Sequence, residues 1–168
     1  MELIGARLYL RELNTNFDNL ENYLGWLRDT NINRFITSAR RDYTKEELVD
    51  YINGKNNSDR AILFGIFDGH TSKLIGTVKL EPINPEIKSA WVGILIGDSK
   101  YHGKGYGFEV LDILCLFCNT FLKLDRIFLG VSPRNLPAIK LYKKFGFSPY
   151  NDEKNVMCLD IKNYKLKL

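Results

Sequence analysis

ILIGDSKYHGKGYG, residues 94–107, joins two different kinds of segment. An apolar run ends at Ile96, three glycines stand at alternate positions (Gly103, Gly105 and Gly107), and a long apolar segment, Phe108 to Leu122, follows at once. This order predicts strand, glycine-rich loop, helix. Glycine has no Cβ, so such a loop brings several backbone N–H groups close to one point. That point lies at a helix N-terminus, where unpaired N–H groups and the helix dipole favour an anion. Lys104 adds a cation inside the loop. The spacing, His102-x-x-Gly105-x-Gly107 with Gly103 added, is neither G-x-G-x-x-G nor the G-x-x-x-x-G-K-[ST] of nucleoside-triphosphate loops. The loop is read as holding a pyrophosphate; the competing reading is a plain tight turn.

Upstream, Arg7 to Arg11 alternates like a strand. Leu20, Tyr23, Leu24 and Leu27 follow helical spacing behind Asp18 as N-cap. Thr44 and Glu47 have capping-box spacing ahead of Leu48, Val49 and Ile52, so a second helix is expected to stop near Gly54. Ala61–Phe67 and Leu74–Leu80 read as strands joined by a turn at Asp68-Gly69. Pro82 to Pro85 reads as a break, and Ala90–Ile96 as the strand feeding the loop. Downstream, Ile127–Val131 is a strand, Leu136–Phe145 a helix stopped by Gly146, and Val156–Ile161 a final strand. The helix over 108–122 carries apolar residues on two stripes and should be buried on more than one side. The expected fold class is mixed α/β, one domain over residues 1–168 without repeat or linker.

Composition narrows the function classes. The chain has 168 residues, 45% hydrophobic and 26% charged, as a soluble globular protein has. Its net charge of +4 is scattered, which does not point to nucleic acid and suits an anionic small molecule. The N-terminus carries Glu2, Arg7, Arg11 and Glu12, unlike a signal peptide, and no uncharged run reaches membrane-spanning length. A cytoplasmic location is therefore expected, with Cys115, Cys118 and Cys158 as reduced thiols. Cys115 and Cys118 match C-x-x-C, but inside an apolar helix without a second pair they read as core residues, and no metal is expected.

A second signal is SPRNLPAIKLYKKFGF, residues 132–147. Asn135 sits at an N-cap with Pro137 in the first turn. Ala138, Leu141, Tyr142 and Phe145 share one face, which puts Tyr142 inward; spacing alone favours a core tyrosine. The glycine loop behind a strand, followed by Asn135, Ala138, Leu141-Tyr142 and Phe145-Gly146-Phe147, resembles the GNAT acetyltransferase superfamily. With Asn33-Arg34-Phe35-Ile36, Ile75-Gly76-Thr77 and His102 to Gly107, the chain resembles the branch of ribosomal-protein N-terminal acetyltransferases and bacterial small-amine or amino-sugar acetyltransferases. In that family Gln or Arg usually stands where His102 is.

The resemblance implies a largely antiparallel sheet of six to seven strands flanked by about four helices, with two strands splayed at the acetyl-CoA site. It implies that backbone groups of Ile94, Leu95 and Ile96 pair with the pantetheine arm. His102, Gly103, Lys104, Gly105, Tyr106 and Gly107, with Asn135, Ala138 and Tyr142, would hold the rest of acetyl-CoA. A neutral amine attacks the thioester directly, and Tyr142 protonates the departing thiolate. Glu81, at a strand end, is named as candidate base, with Asp98 and Tyr101 as other strand-end residues near the cleft. Arg34, Phe35, Arg40 and Trp91 are the expected acceptor-binding residues, the arginines pairing with an acceptor phosphate or carboxylate. The acceptor is expected to be a small amine, specifically a nucleotide-linked amino sugar. The rivals are a protein N-terminus and a non-catalytic acyl-CoA-binding module. No nucleic-acid or membrane partner is expected, and a homodimer is left open.

Overall fold

Alternation of apolar residues builds the sheet, and three-to-four spacing builds the helices on its two faces. The computed structural model describes residues 1–36, 42–151 and 154–167. In chain order it contains β1 (Glu2–Ile4), β2 (Leu8–Glu12), α1 (Leu20–Arg28), the single turn α2 (Thr30–Asn33) and α3 (Lys45–Asn56). There follow β3 (Ile62–Asp68), β4 (Leu74–Asn84), β5 (Ser89–Ile96), α4 (Tyr106–Thr120) and β6 (Arg126–Gly130). The chain continues with α5 (Leu136–Phe145), β7 (Ser148–Pro149) and β8 (Val156–Asp160). One eight-stranded sheet runs β1-β2-β3-β4-β5-β6-β8-β7.

Strand β3 shows how the layers divide. Phe64 and Ile66 face a core shared with Val110, Leu111, Leu114 and Phe145 of α4 and α5. Leu63 and Phe67 face the other core, with Leu20, Leu24, Leu27, Leu48 and Ile52 of α1 and α3. Side chains of period two thus feed two separate cores. Helix α4 is buried around most of its circumference, from Glu109 through Cys115 and again at Phe117 and Cys118. Burial pushes the Cys115 thiol up to about 12 and the Cys118 thiol well above its ordinary value, which leaves both unreactive.

The feature that makes a site is the junction of β5 and β6. They are parallel neighbours, paired only at Ser89 with Arg126, Ala90 with Ile127 and Trp91 with Phe128. Beyond Trp91 they part, while β5 stays in register with β4 from Leu80–Val92 to Gly76–Ile96. Among the described residues, the side of β5 that faces β6 therefore has no partner strand over 92–96. This is the splay the resemblance implies.

Several boundaries differ from the sequence reading. Strand β4 does not break at Pro82: the register shifts between Leu80 and Ile83. Glu81 and Pro82 drop out of the ladder there, so the missing proline N–H is not called on. Helix α3 continues past Gly54 to Asn56, and α4 opens at Tyr106, two residues earlier than expected. Strands β1 and β7, of three and two residues, carry too little pattern to be read in advance.

Candidate active site

A cleft of about 1080 Å³ opens where β5 and β6 part. The glycine loop closes one end of it. Gly103 and Gly105 have φ of +70° and +84°, left-handed values that suit glycine. Gly105 is also the N-cap of α4, and no side chain among the described residues caps that helix. The backbone N–H groups of Gly103, Lys104, Gly105, Tyr106 and Gly107 have no acceptor among the described residues. Five amide donors and the positive end of a 15-residue helix are thus offered to an anion.

Two side chains fix this loop. Arg7 donates from Nε to Glu109 Oε2 (2.8 Å) and from Nη1 to the Lys104 carbonyl (2.9 Å), and its backbone N–H donates to Glu109 Oε1 (2.7 Å). Its guanidinium also lies 4.5 Å from the centre of the Tyr106 ring. Glu109 is buried, and an unpaired carboxylate there would work against an anion bound a turn away. Arg7 neutralises it. The other tie is His102, whose Nε2 lies 2.7 Å from the Ile96 carbonyl. A carbonyl only accepts, so the ring donates from Nε2 and joins the loop to the end of β5. The pairing of Arg7 with Glu109 spans 102 positions, and no local pattern in the sequence announces it.

Helix α5 supplies the cleft's second wall. The Asn135 side chain accepts from the Ala138 N–H (3.3 Å), Pro137 follows in the first turn, and Gly146 ends the helix at φ +119°. Ala138, Leu141 and Tyr142 line the cleft while Phe145 is buried in the core. Gly107 and α5 meet closely: a Cβ on Gly107 would come 2.9 Å from Leu141 Cδ2. Tyr142 is buried, its ring 5.7 Å from Phe147. Burial pushes its phenol up to about 12, so it stays protonated at any working pH. Ile94 and Ile96 lean toward the α4/α5 core and Leu95 toward the α1/α3 core, and all three line the cleft.

The far end of the cleft is made by α1, the turn after α2, α3 and β4. Arg34 and Phe35 line it, the Arg34 guanidinium 4.8 Å from the Phe35 ring centre. Arg40 lies outside the described residues. Sequence reading missed Tyr23, Tyr51, Thr77 and Lys79, which line the same end from three elements. Two expected residues are not brought to the cleft. Trp91 stands where β5 and β6 still pair, stacked 5.7 Å from Phe128. Glu81 sits in the β4 irregularity and accepts from Lys55 Nζ (2.5 Å) and Lys79 Nζ (2.8 Å). Burial pulls the Glu81 carboxyl up, but these two ammonium groups outweigh it and hold it below the usual carboxylate range. Asp98 caps the turn over Ser99–Tyr101 and pairs with Lys73 (2.7 Å). Tyr101 does line the cleft, edge-on to Tyr106. Among the described residues no cluster of His, Cys, Asp and Glu could hold a metal ion, and no helix is long and apolar enough to cross a membrane.

A strand parting from its neighbour, beside a helix start and a loop lined with unpaired amides, makes an extended cleft with one anion-receptive end. Residues 7–148 match the family described as acetyltransferase (GNAT) domain, and the chain belongs to that family of N-acetyltransferases. It is 32% identical over 154 residues to the Bacillus subtilis protein named Probable N-acetyltransferase YjcK, covering 86% of this chain and 82% of that one. It is 29% identical over 126 residues to spermidine N(1)-acetyltransferase of Vibrio cholerae, covering 74% and 72%. The fold is that of a spermidine N-acetyltransferase from Vibrio cholerae solved in complex with CoA and spermine, with a TM-score of 0.80 at 24% identity over 94% of this chain and 98% of that one.

Proposed function

We propose that residues 1–168 form one acetyl-CoA-dependent N-acetyltransferase domain that acts in the cytoplasm on a small primary amine, in a ternary complex and by direct attack. The observation that carries this reading is the row of five unpaired N–H groups, Gly103 to Gly107, at the mouth of the β5/β6 parting. These amides take the pyrophosphate, with the exposed Lys104 of the same loop as a screening cation. The free side of β5 over Ile94–Ile96 takes the pantetheine amides as an added strand would. Asn135 and Ala138 at the start of α5 border the same arm. His102 serves by holding the loop to β5.

The neutral amine attacks the thioester carbonyl, and a β5 amide stabilises the charge that develops on its oxygen. The carbon–sulfur bond then breaks, and Tyr142 donates its phenolic proton to the departing thiolate. The extra proton on the nitrogen, released as the amide forms, returns through water to Tyr142. The proton of the acceptor ammonium leaves through water. For the acceptor, a nucleotide-linked amino sugar remains the specific reading, with Arg34 and Phe35 on its wall.

Thiol release from acetyl-CoA with a panel of primary amines, with the acetylated product identified by mass, tests the assignment. Turnover with a small amine supports it. Turnover restricted to peptide N-termini moves the chain to the protein-modifying reading. CoA binding without turnover on any amine leaves a non-catalytic acyl-CoA-binding module.

A further inference from the structure

The two ends of the cleft differ in what they offer a ligand. Among the described residues that line the cleft, the charged side chains are Arg34, Lys79, Lys140 and Lys144, and there is no aspartate or glutamate. Lys140 and Lys144 lie on α5, beside the coenzyme end. Arg34 and Lys79 lie at the acceptor end. The neighbouring carboxylate, Glu81, is shared between Lys55 and Lys79, so the group of three retains one positive charge. Arg34 is exposed to the cleft, and its guanidinium has no carboxylate partner among the described residues.

We infer that the acceptor carries an anionic group, phosphate or carboxylate, beside its amine, and that Arg34 pairs with it while Lys79 adds to the field. This rests on the acetyltransferase reading and names the substrate class for it. The charge pattern is the reverse of what a polyamine needs. Like charges brought together in a partly desolvated cleft repel one another. A spermidine in this cleft would bring several ammonium groups against Arg34 and Lys79 with no lining carboxylate to offset them. The pyrophosphate of the coenzyme does not occupy Arg34, because the amide loop that suits it closes the opposite end. Arg34, planar and permanently charged, offers a fork matched to phosphate or carboxylate oxygens. Tyr23 and Tyr51 flank the same end, both held protonated, chiefly by burial, and so remain donors rather than competing anions.

The test uses the whole chain saturated with CoA, so that added anions report on the acceptor end alone. Calorimetric titration compares pyrophosphate, citrate and spermidine. At least one of the two anions should bind about tenfold tighter than spermidine, and Arg34→Gln should abolish that margin while Arg34→Lys retains part of it, as loss of one charge-assisted contact implies. Pyrophosphate alone responding identifies a phosphate-bearing acceptor, and citrate alone a carboxylate-bearing one. Spermidine binding tighter than both anions, or a margin unchanged in Arg34→Gln, overturns the inference. In parallel, thiol release is compared for glucosamine, glucosamine 6-phosphate, a nucleotide-linked amino sugar, an amino acid and its amide, and spermidine. The anionic member of each pair should show the higher kcat/KM. If no amine turns over, the catalytic reading fails, and the titration still decides the anion site.

Discussion

If the cleft is the acetyl-transfer site proposed for it, its donor and acceptor halves are built from different materials. The donor half is backbone: amides of Gly103 to Gly107 and the free side of β5, held by Arg7 and His102. The acceptor half is side chains from α1, α2 and its following turn, α3 and β4. A backbone site needs residues that stay out of the way, and it can keep one geometry while other positions vary. A side-chain site is remade by single substitutions. One fold can therefore fix the acyl donor and leave the amine to the helices across the sheet.

Substitutions should separate the halves. The largest effect belongs to Tyr142, where they meet: Tyr142→Phe should lower kcat about 100-fold or more, the range of general-acid catalysis, with both KM values nearly unchanged. Because that phenol is pushed up to about 12, kcat/KM for the amine should rise with pH as the ammonium deprotonates. No falling limb should appear below about pH 9.5. A falling limb there would assign the acid to another group.

Next comes the loop. Gly105→Val places a branched side chain at φ +84°, a strain of about 1–3 kcal/mol. It should raise KM for acetyl-CoA roughly 10- to 100-fold and leave KM for the amine alone. An equal rise in both would mean that the halves are not independent.

Arg7→Met should raise KM for acetyl-CoA about tenfold, because the buried Glu109 carboxylate is left unpaired beside the anion site. Arg7→Met combined with Glu109→Gln should recover part of that loss if charge is the cause, and none if Arg7 acts only by holding the Lys104 carbonyl. Melting temperature read alongside separates either effect from unfolding. The smallest effect is expected at Trp91. Trp91→Phe, which keeps the stack on Phe128, should leave both KM values within experimental scatter, and a selective loss of amine affinity would return it to the acceptor site.

What could be read in advance follows the same division. Helix α5 falls at Leu136–Phe145 as expected, because its signals are local: Asn135 and Pro137 open it and Gly146 closes it. The glycine loop was legible for the same reason, since φ-permissive residues leave a spacing behind. The acceptor wall was legible only at Arg34 and Phe35. Tyr23, Tyr51, Thr77 and Lys79 belong to ordinary helix and strand patterns, and only the packing of α1 and α3 on the sheet brings them together. Trp91 and Glu81 drew attention as an aromatic and a carboxylate on strands near the cleft. Their placement was decided by two features that spacing does not show, the point where β6 stops pairing and the β4 register shift.

The central claim, that the amides of Gly103 to Gly107 receive the pyrophosphate of the coenzyme, is open to direct measurement. Backbone amide resonances of the isotope-labelled chain are followed on titration with CoA and, separately, with pantetheine, which lacks the pyrophosphate. The expected result is that CoA shifts the amides of Gly103, Gly105 and Gly107 strongly while pantetheine moves only those of β5 around Ile94–Ile96. If CoA binds and the three glycine amides do not move, the loop is a turn and the donor site lies elsewhere.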